Sequence, residues 1–213
     1  MTNWKRLAAR SSALVVLGTM ALAGPVNAGG EPRQHDGFFM RLSFGGGSGK
    51  AHIEEAGNEA ELKGGAGDIN LALGGMVSPN LALHGTIWGW GVQDPDASLT
   101  LAGFGSGSGS LNGFLSMSAI GPGVTYYMMP ANIYFSGSVG VGSLSGSDQI
   151  GGSSDTGFAL DTTIGKEWWV GENWGLGLAG DFTYLSAKDK DIVGSTQNWS
   201  VTGFGLRFSA TFN

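Results

Sequence analysis

Residues 120–141, IGPGVTYYMMPANIYFSGSVGV, hold two extended segments around a tight turn. In the first, Ile120, Pro122, Val124 and Tyr126 alternate with Gly121, Gly123 and Thr125. In the second, Ile133, Phe135, Gly137, Val139 and Val141 alternate with Tyr134, Ser136, Ser138 and Gly140. A period of two on both sides of Met129-Pro130-Ala131-Asn132 is the signature of a β-hairpin and defines no helical face. The hairpin lies in a run of 51 residues, Ala97 to Ser147, without one Asp, Glu, Lys or Arg. The water side of a soluble sheet is usually rich in Lys and Glu. Here the side opposite the apolar one is small and uncharged, which suits an enclosed lumen with the apolar side turned to hydrocarbon.

The same alternation marks six further segments. Phe38, Met40, Leu42 and Phe44 oppose Phe39, Arg41 and Ser43; Ile69, Leu71 and Leu73 oppose Asp68, Asn70 and Ala72; Leu81, Leu83 and Ile87 oppose Ala82, His84 and Thr86. Later come Phe158, Leu160 and Ile164 against Ala159, Asp161 and Thr163, then Leu176, Leu178, Phe182 and Tyr184 against Gly177, Ala179, Asp181 and Thr183, and last Phe204, Leu206, Phe208, Ala210 and Phe212 against Gly205, Arg207, Ser209 and Thr211. No charge falls on any of the eight apolar faces; the charges sit on the opposite faces. A strand of about 10 residues, rising ~3.3 Å each and tilted ~40°, covers roughly 25 Å, the height of a membrane barrel's apolar band.

The connections alternate in length. Ser78-Pro79-Asn80, Met129 to Asn132 and Gly171-Glu172-Asn173 are tight turns, whereas Gly46 to Gly67, Gln93 to Gly113, Ser145 to Asp155 and Ser186 to Gln197 are longer and polar or Gly/Ser-rich. Short turns on one side and long loops on the other distinguish transmembrane β-barrels, with the short side periplasmic. Six aromatics flank the short turns and are expected to form an interface girdle: Tyr126, Tyr127, Tyr134, Trp168, Trp169 and Trp174.

Composition excludes several function classes. The 213 residues contain no cysteine, so there is no disulfide scaffold, thiolate metal site or cysteine nucleophile. The 40 glycines suggest low complexity, but 41% apolar content with 11 Phe and 7 Trp indicates a chain that packs. Residues 1–28 read as a secretory signal, with Lys5, Arg6 and Arg10, an 11-residue apolar stretch from Ala13 to Ala23, and Val26-Asn27-Ala28 before Gly29. The remaining 29–213 form one domain with 8 basic and 17 acidic side chains, a formal charge of −9 that argues against a nucleic-acid partner.

GFFMRLSFGGG at residues 37–47, VTYYMMPANIYFSGSVGVG, KEWWVGENWGLGLAGDFTY and the ending FGLRFSATF make residues 36–213 resemble the small eight-stranded outer membrane proteins of the OmpA, OmpX and OmpW type. The resemblance implies an all-β, eight-stranded antiparallel up-and-down transmembrane barrel in the bacterial outer membrane, with both mature termini periplasmic. Its partners would be outer membrane lipid and lipopolysaccharide and, during biogenesis, the outer-membrane assembly machinery. That machinery recognises a last strand that usually ends on an aromatic; here Phe212 is penultimate, before Asn213.

Three residue groups could carry chemistry. Arg41, Asp161, Glu167, Asp181 and Arg207 face the lumen on neighbouring strands. Buried charges must pair, so Arg207 is expected with Asp181, and Arg41 nearby, as a structural plug. His84 and Thr86 form a lumen polar site that, with a carboxylate, would amount to a hydrolytic triad. His52, Glu54, Glu55, Glu59 and Glu61 in the first long loop could bind Ca²⁺ or Mg²⁺, although their spacing lacks the EF-hand order and a solvated acidic loop accounts for them. Gly45 to Lys50 imitates a phosphate-binding loop, but Phe44 stands where the first glycine belongs and Ala51 follows the lysine; it reads as a flexible barrel mouth.

The expected role is non-catalytic, structural or surface-interacting, with no cofactor and no metal. The alternative, implied by the OmpW likeness, is transport or binding of a small hydrophobic molecule. A second alternative is a lipid acyl-modifying enzyme around His84.

Overall fold

The computed structural model describes residues 35–55, 57–190 and 196–213, so the signal segment read at residues 1–28 lies outside the described residues. Ten strands follow in order: β1 (Phe38–Glu55), β2 (Asn58–Ser78), β3 (Leu81–Gln93), β4 (Asp96–Leu101), β5 (Gly105–Ser110), β6 (Phe114–Met128), β7 (Ile133–Gly146), β8 (Gly157–Trp169), β9 (Trp174–Lys190) and β10 (Thr196–Phe212). Eight close into an antiparallel barrel in the order β1-β10-β9-β8-β7-β6-β3-β2, with β1 pairing β2 to complete the ring. Closure leaves those eight strands without an open edge along the apolar band, the condition for a β structure to cross a bilayer.

All eight alternating segments are barrel strands, and each turns its apolar side outward. Phe44, Ile69, Ile87, Ile120, Phe158 and Phe208 are exposed on the wall, whereas Arg41, Asn70, His84, Thr125, Asp161 and Arg207 are buried inside. The tight turns at Pro79, Pro130 and Glu172 lie together at one end of the barrel. Asn80 and Asn132 take the left-handed conformation there (φ 67° and 52°), which Asn tolerates better than most residues.

The long connections are more ordered than the sequence suggested. Gly46 to Gly67 is mostly strand: β1 runs on to Glu55 and β2 starts at Asn58, paired residue for residue from Phe38↔Gly75 to Glu55↔Asn58. Gly45 to Lys50 is therefore no flexible mouth; it is laddered to β10 on one side and β2 on the other, which supplies the backbone partners a loop would lack. The second connection holds the β4–β5 hairpin, and β4 continues the wall by pairing β2 from Glu59↔Thr100 to Lys63↔Asp96. Its base is clamped where the Asp94 N–H donates to the Gly113 carbonyl (2.8 Å) and the Gly113 N–H to Asp94 Oδ1 (2.9 Å). β5, β4, β2, β1, β10 and β9 thus form one continuous external sheet at the end opposite the tight turns, since β1 stays paired with β10 to Glu54↔Asn198 and β10 with β9 to Asn198↔Lys188.

Candidate functional site

The lumen is filled in layers. Nearest the ribbon end, Trp88, Trp90, Val92, Leu115, Met117, Leu144, Leu185 and Val201 form an apolar core like that of a soluble protein. The Trp90 indole crosses from β3 to the β1–β10 seam, where Gly49 and Gly203 make room: a Cβ on either would lie 2.8 Å from the ring.

Below it, Arg207 gathers three carboxylates from three strands. Its Nε donates to both Asp68 oxygens (2.9 and 2.7 Å), and Nη1 and Nη2 donate to Asp161 Oδ1 and Oδ2 (3.1 and 2.9 Å). Asp181 Oδ2 lies 3.3 Å from Nη2, and its Oδ1 has no hydrogen-bond partner. Asp161 is the best satisfied of the three, also accepting from Asn70, Thr163 and Thr183. The expected Arg207–Asp181 contact exists but is the longest of the three, and the closest partner is Asp68 at 2.5 Å, a lumen-facing residue outside the expected network. Its parity was visible in the sequence; its height relative to Arg207 depends on strand stagger. The space between Asp181 and Trp90, walled by Gly47, Gly203 and Gly205, measures about 10 Å³, room for one water.

The next layer joins His84 and Arg41. His84 Nδ1 meets Thr86 Oγ1 at 2.7 Å and Nε2 meets Thr125 Oγ1 at 2.9 Å. Thr125 also accepts from Arg41 Nη2 at 2.8 Å, and Ser138 donates to Thr86 at 3.0 Å. The imidazole therefore sits between two hydroxyls, with no carboxylate among these partners to orient it. Arg41 does not join the Arg207 cluster: its Nε lies 3.8 Å from Glu167 Oε1, which accepts from Thr211 Oγ1 at 2.6 Å, and its guanidinium lies 4.1 Å from the Tyr134 ring centroid. The five expected lumen charges thus form two separate plugs.

Tyr127, Tyr134 and His35 make the floor. His35 stacks on Tyr127 with centroids 3.5 Å apart, its Nε2 lies 2.8 Å from Asn132 Oδ1, and Asn213 Nδ2 lies 2.6 Å from its Nδ1. Burial pushes the His35 pKa below its ordinary 6.5, against the pull of those two amides and of Glu167. The expected girdle is accordingly split. Tyr126, Trp168 and Trp174 face outward, but Tyr127 and Tyr134 are fully buried in the lumen and Trp169 lies 4.9 Å from His35. Adjacent strand residues point to opposite faces, so Tyr126 and Tyr127 cannot both meet lipid.

His52, Glu54, Glu55, Glu59 and Glu61 lie on paired strands, with His52 opposite Glu61 and Glu54 opposite Glu59. Glu61 is taken by Lys50 (2.5 Å) and Lys63 (3.4 Å), and the Lys50 ammonium bonded to its carboxylate lowers its pKa. Glu55 accepts from Gln197 at 2.9 Å. Among the described residues no three His, Asp or Glu side chains come together as a metal-sized group.

The external sheet is two-faced. Lys50, His52, Glu54, Glu59, Glu61, Lys63, Asp96, Ser98 and Thr100 share one face, while Ala51, Ile53, Ala60, Leu62, Ala97, Leu99 and Leu101 share the other. The apolar face bounds an open hollow of about 680 Å³, reached by Phe104 at the hairpin tip and Ile150. The hollow is not legible in a sequence that reads Gly46 to Gly67 and Gln93 to Gly113 as loops; its signal there is the alternation AHIEE and NEAELK.

No protein-family model and no curated protein matches the chain. In fold it is similar to the outer membrane protein OprG from Pseudomonas aeruginosa, at 12% identity and a TM-score of 0.50 over 84% of this chain and 98% of that one. Neisserial surface protein A (12% identity, TM-score 0.46, 81% and 95%) and the outer membrane protease OmpT from Escherichia coli (11%, 0.39, 85% and 97%) are also similar. The fold is that of the small outer membrane barrels.

Proposed function

We propose that the chain is exported to the bacterial outer membrane, sits there among lipid and lipopolysaccharide with its tight turns toward the periplasm, and works without catalysis as a structural or surface-interacting barrel. The observation that carries this reading is the contrast between the two ends. The lumen is packed from Trp88 to Tyr127, while the strands run past the apolar band to build an external sheet whose apolar face continues the lumen core at Ala51 and Leu62 and is exposed only farther out, at Leu99 and Leu101. Eight strands leave an interior that side chains can fill, and these do. Its last strand, with Phe212 turned outward, is what the assembly machinery would read. The test is conductance of the purified barrel in a planar bilayer. Negligible current is expected; large, stable open channels would overturn the reading.

A second reading, binding of a small hydrophobic molecule, is favoured by the 680 Å³ hollow. N-phenyl-1-naphthylamine should then brighten on binding, and Leu99→Asp should weaken it about tenfold by placing a charge in the apolar lining. An acyl-modifying role for His84 finds less support, since its partners are hydroxyls. Lipid masses from cells carrying wild type and His84→Ala should be identical; an acyl change lost only in the variant would establish an enzyme.

A further inference from the structure

The external sheet ends in an open edge. Among the described residues β5 pairs with β4 and with no other strand. In an antiparallel pair every second residue turns its N–H and C=O away from its neighbour, so half of the β5 backbone groups face outward as a template for another strand. Proteins usually blunt such edges with Lys, Pro or a bulge. β5 has none of these: it is Gly-Ser-Gly-Ser-Gly-Ser, exposed throughout and in unbroken register with β4.

The two faces at this edge differ in chemistry. Gly105, Gly107 and Gly109 lie opposite Leu101, Leu99 and Ala97 on the face of the hollow, and nothing stands within 4 Å of the Cβ position of any of the three. Side chains from an added strand therefore have room to lean over the glycines toward the hollow. Ser106, Ser108 and Ser110 lie on the other face, beside Thr100, Ser98 and Asp96. On β1, β2 and β4 that face carries four carboxylates, Glu54, Glu59, Glu61 and Asp96, against two ammonium groups, Lys50 and Lys63, with a third, Lys188 on β9, separated from β5 by four strands.

We propose that β5 takes up an extended polypeptide whose residues alternate apolar and basic, as an added strand. Its backbone pairs with the β5 edge, its apolar side chains continue the hollow's lining, and its basic side chains meet the acidic face. The inference rests on the reading of the external sheet as an interaction surface and names its partner. A second copy of the chain is a poorer occupant: another β5 would bring only Gly and Ser, with no apolar side chain for the hollow and no positive charge for the acidic face.

The test uses the full barrel in lipid nanodiscs and a fluorescein-labelled Lys-Val-Lys-Val-Lys-Val-Lys peptide, read by anisotropy. Saturable binding is expected. It should weaken about tenfold or more when alternate peptide nitrogens are methylated, and by a similar factor in Glu59→Lys/Glu61→Lys, a tenfold loss corresponding to ~1.4 kcal/mol. Heat-shifted gel migration verifies that each variant is folded. Equal binding of the parent and methylated peptides overturns the added strand; if Leu99→Asp abolishes that binding, the surface reading stands without it. Peptide binding that survives deletion of residues 96–110 overturns both. The absence of saturable binding, or dimers formed through β5 without peptide, overturns the inference.

Discussion

Arg207 on β10 reaches past β9 to grip Asp161 on β8 fork to fork, Nη1 to Oδ1 at 3.1 Å and Nη2 to Oδ2 at 2.9 Å. The same guanidinium holds Asp68 on β2, on the other side of the β1–β10 seam. One cation thus ties together strands from both sides of the place where the chain's first and last strands close the ring.

Removing that cation should cost far more than removing one carboxylate. Arg207→Ala leaves three buried carboxylates facing one another and should destabilise the barrel by ~3–5 kcal/mol. Asp181→Asn should be within about 1 kcal/mol of wild type, because Asp181 is the least satisfied member of a trio already in excess over its cation. Asp161→Asn falls between them. Urea unfolding in lipid vesicles, followed by gel migration, gives the order; a costly Asp181→Asn would contradict it.

Trp90 depends on two missing side chains. Gly203→Val places a branched group where a Cβ already comes within 2.8 Å of the indole nitrogen, so the ring must leave the seam. A loss of ~1–3 kcal/mol is expected, with a red-shifted emission in a variant keeping Trp90 as its sole tryptophan.

The split girdle can be read by lipid quenching. In single-tryptophan variants refolded in brominated lipid, Trp168 and Trp174 should be strongly quenched and Trp88 and Trp90 should not, since the first pair is exposed on the wall and the second buried in the lumen. Equal quenching of all four would contradict the assignment, and stronger quenching of Trp88 and Trp90 would turn the wall inside out.

The floor should loosen in acid. The folded His35 pKa lies below its ordinary 6.5 because burial disfavours the imidazolium, so the unfolded chain binds the proton more readily. The stability held by His35 is complete above pH 6.5 and declines as pH falls below it. His35→Gln should flatten that decline. An imidazole NMR titration with His52 and His84 replaced should show a midpoint below 6.5; a midpoint above it would reverse the sign.

Period-two alternation is a local property of the chain, so the sequence alone determined the eight barrel strands, which side of each meets lipid, and where the tight turns fall. Tyr127, expected in the girdle from its nearness to Pro130, faces the lumen instead, as its parity with Tyr126 requires. What tertiary structure decided is the vertical offset between strands. Shear around a closed barrel is a property of the whole ring. That offset joins Asp68 to Arg207, sends Arg41 to Glu167 instead, and lets Trp90 rest against Gly49 and Gly203. The external sheet belongs to the same category. AHIEE and ASLTL look like loop until each finds a neighbour, because a short strand becomes stable only when its backbone groups and one face are paired by residues distant in the chain.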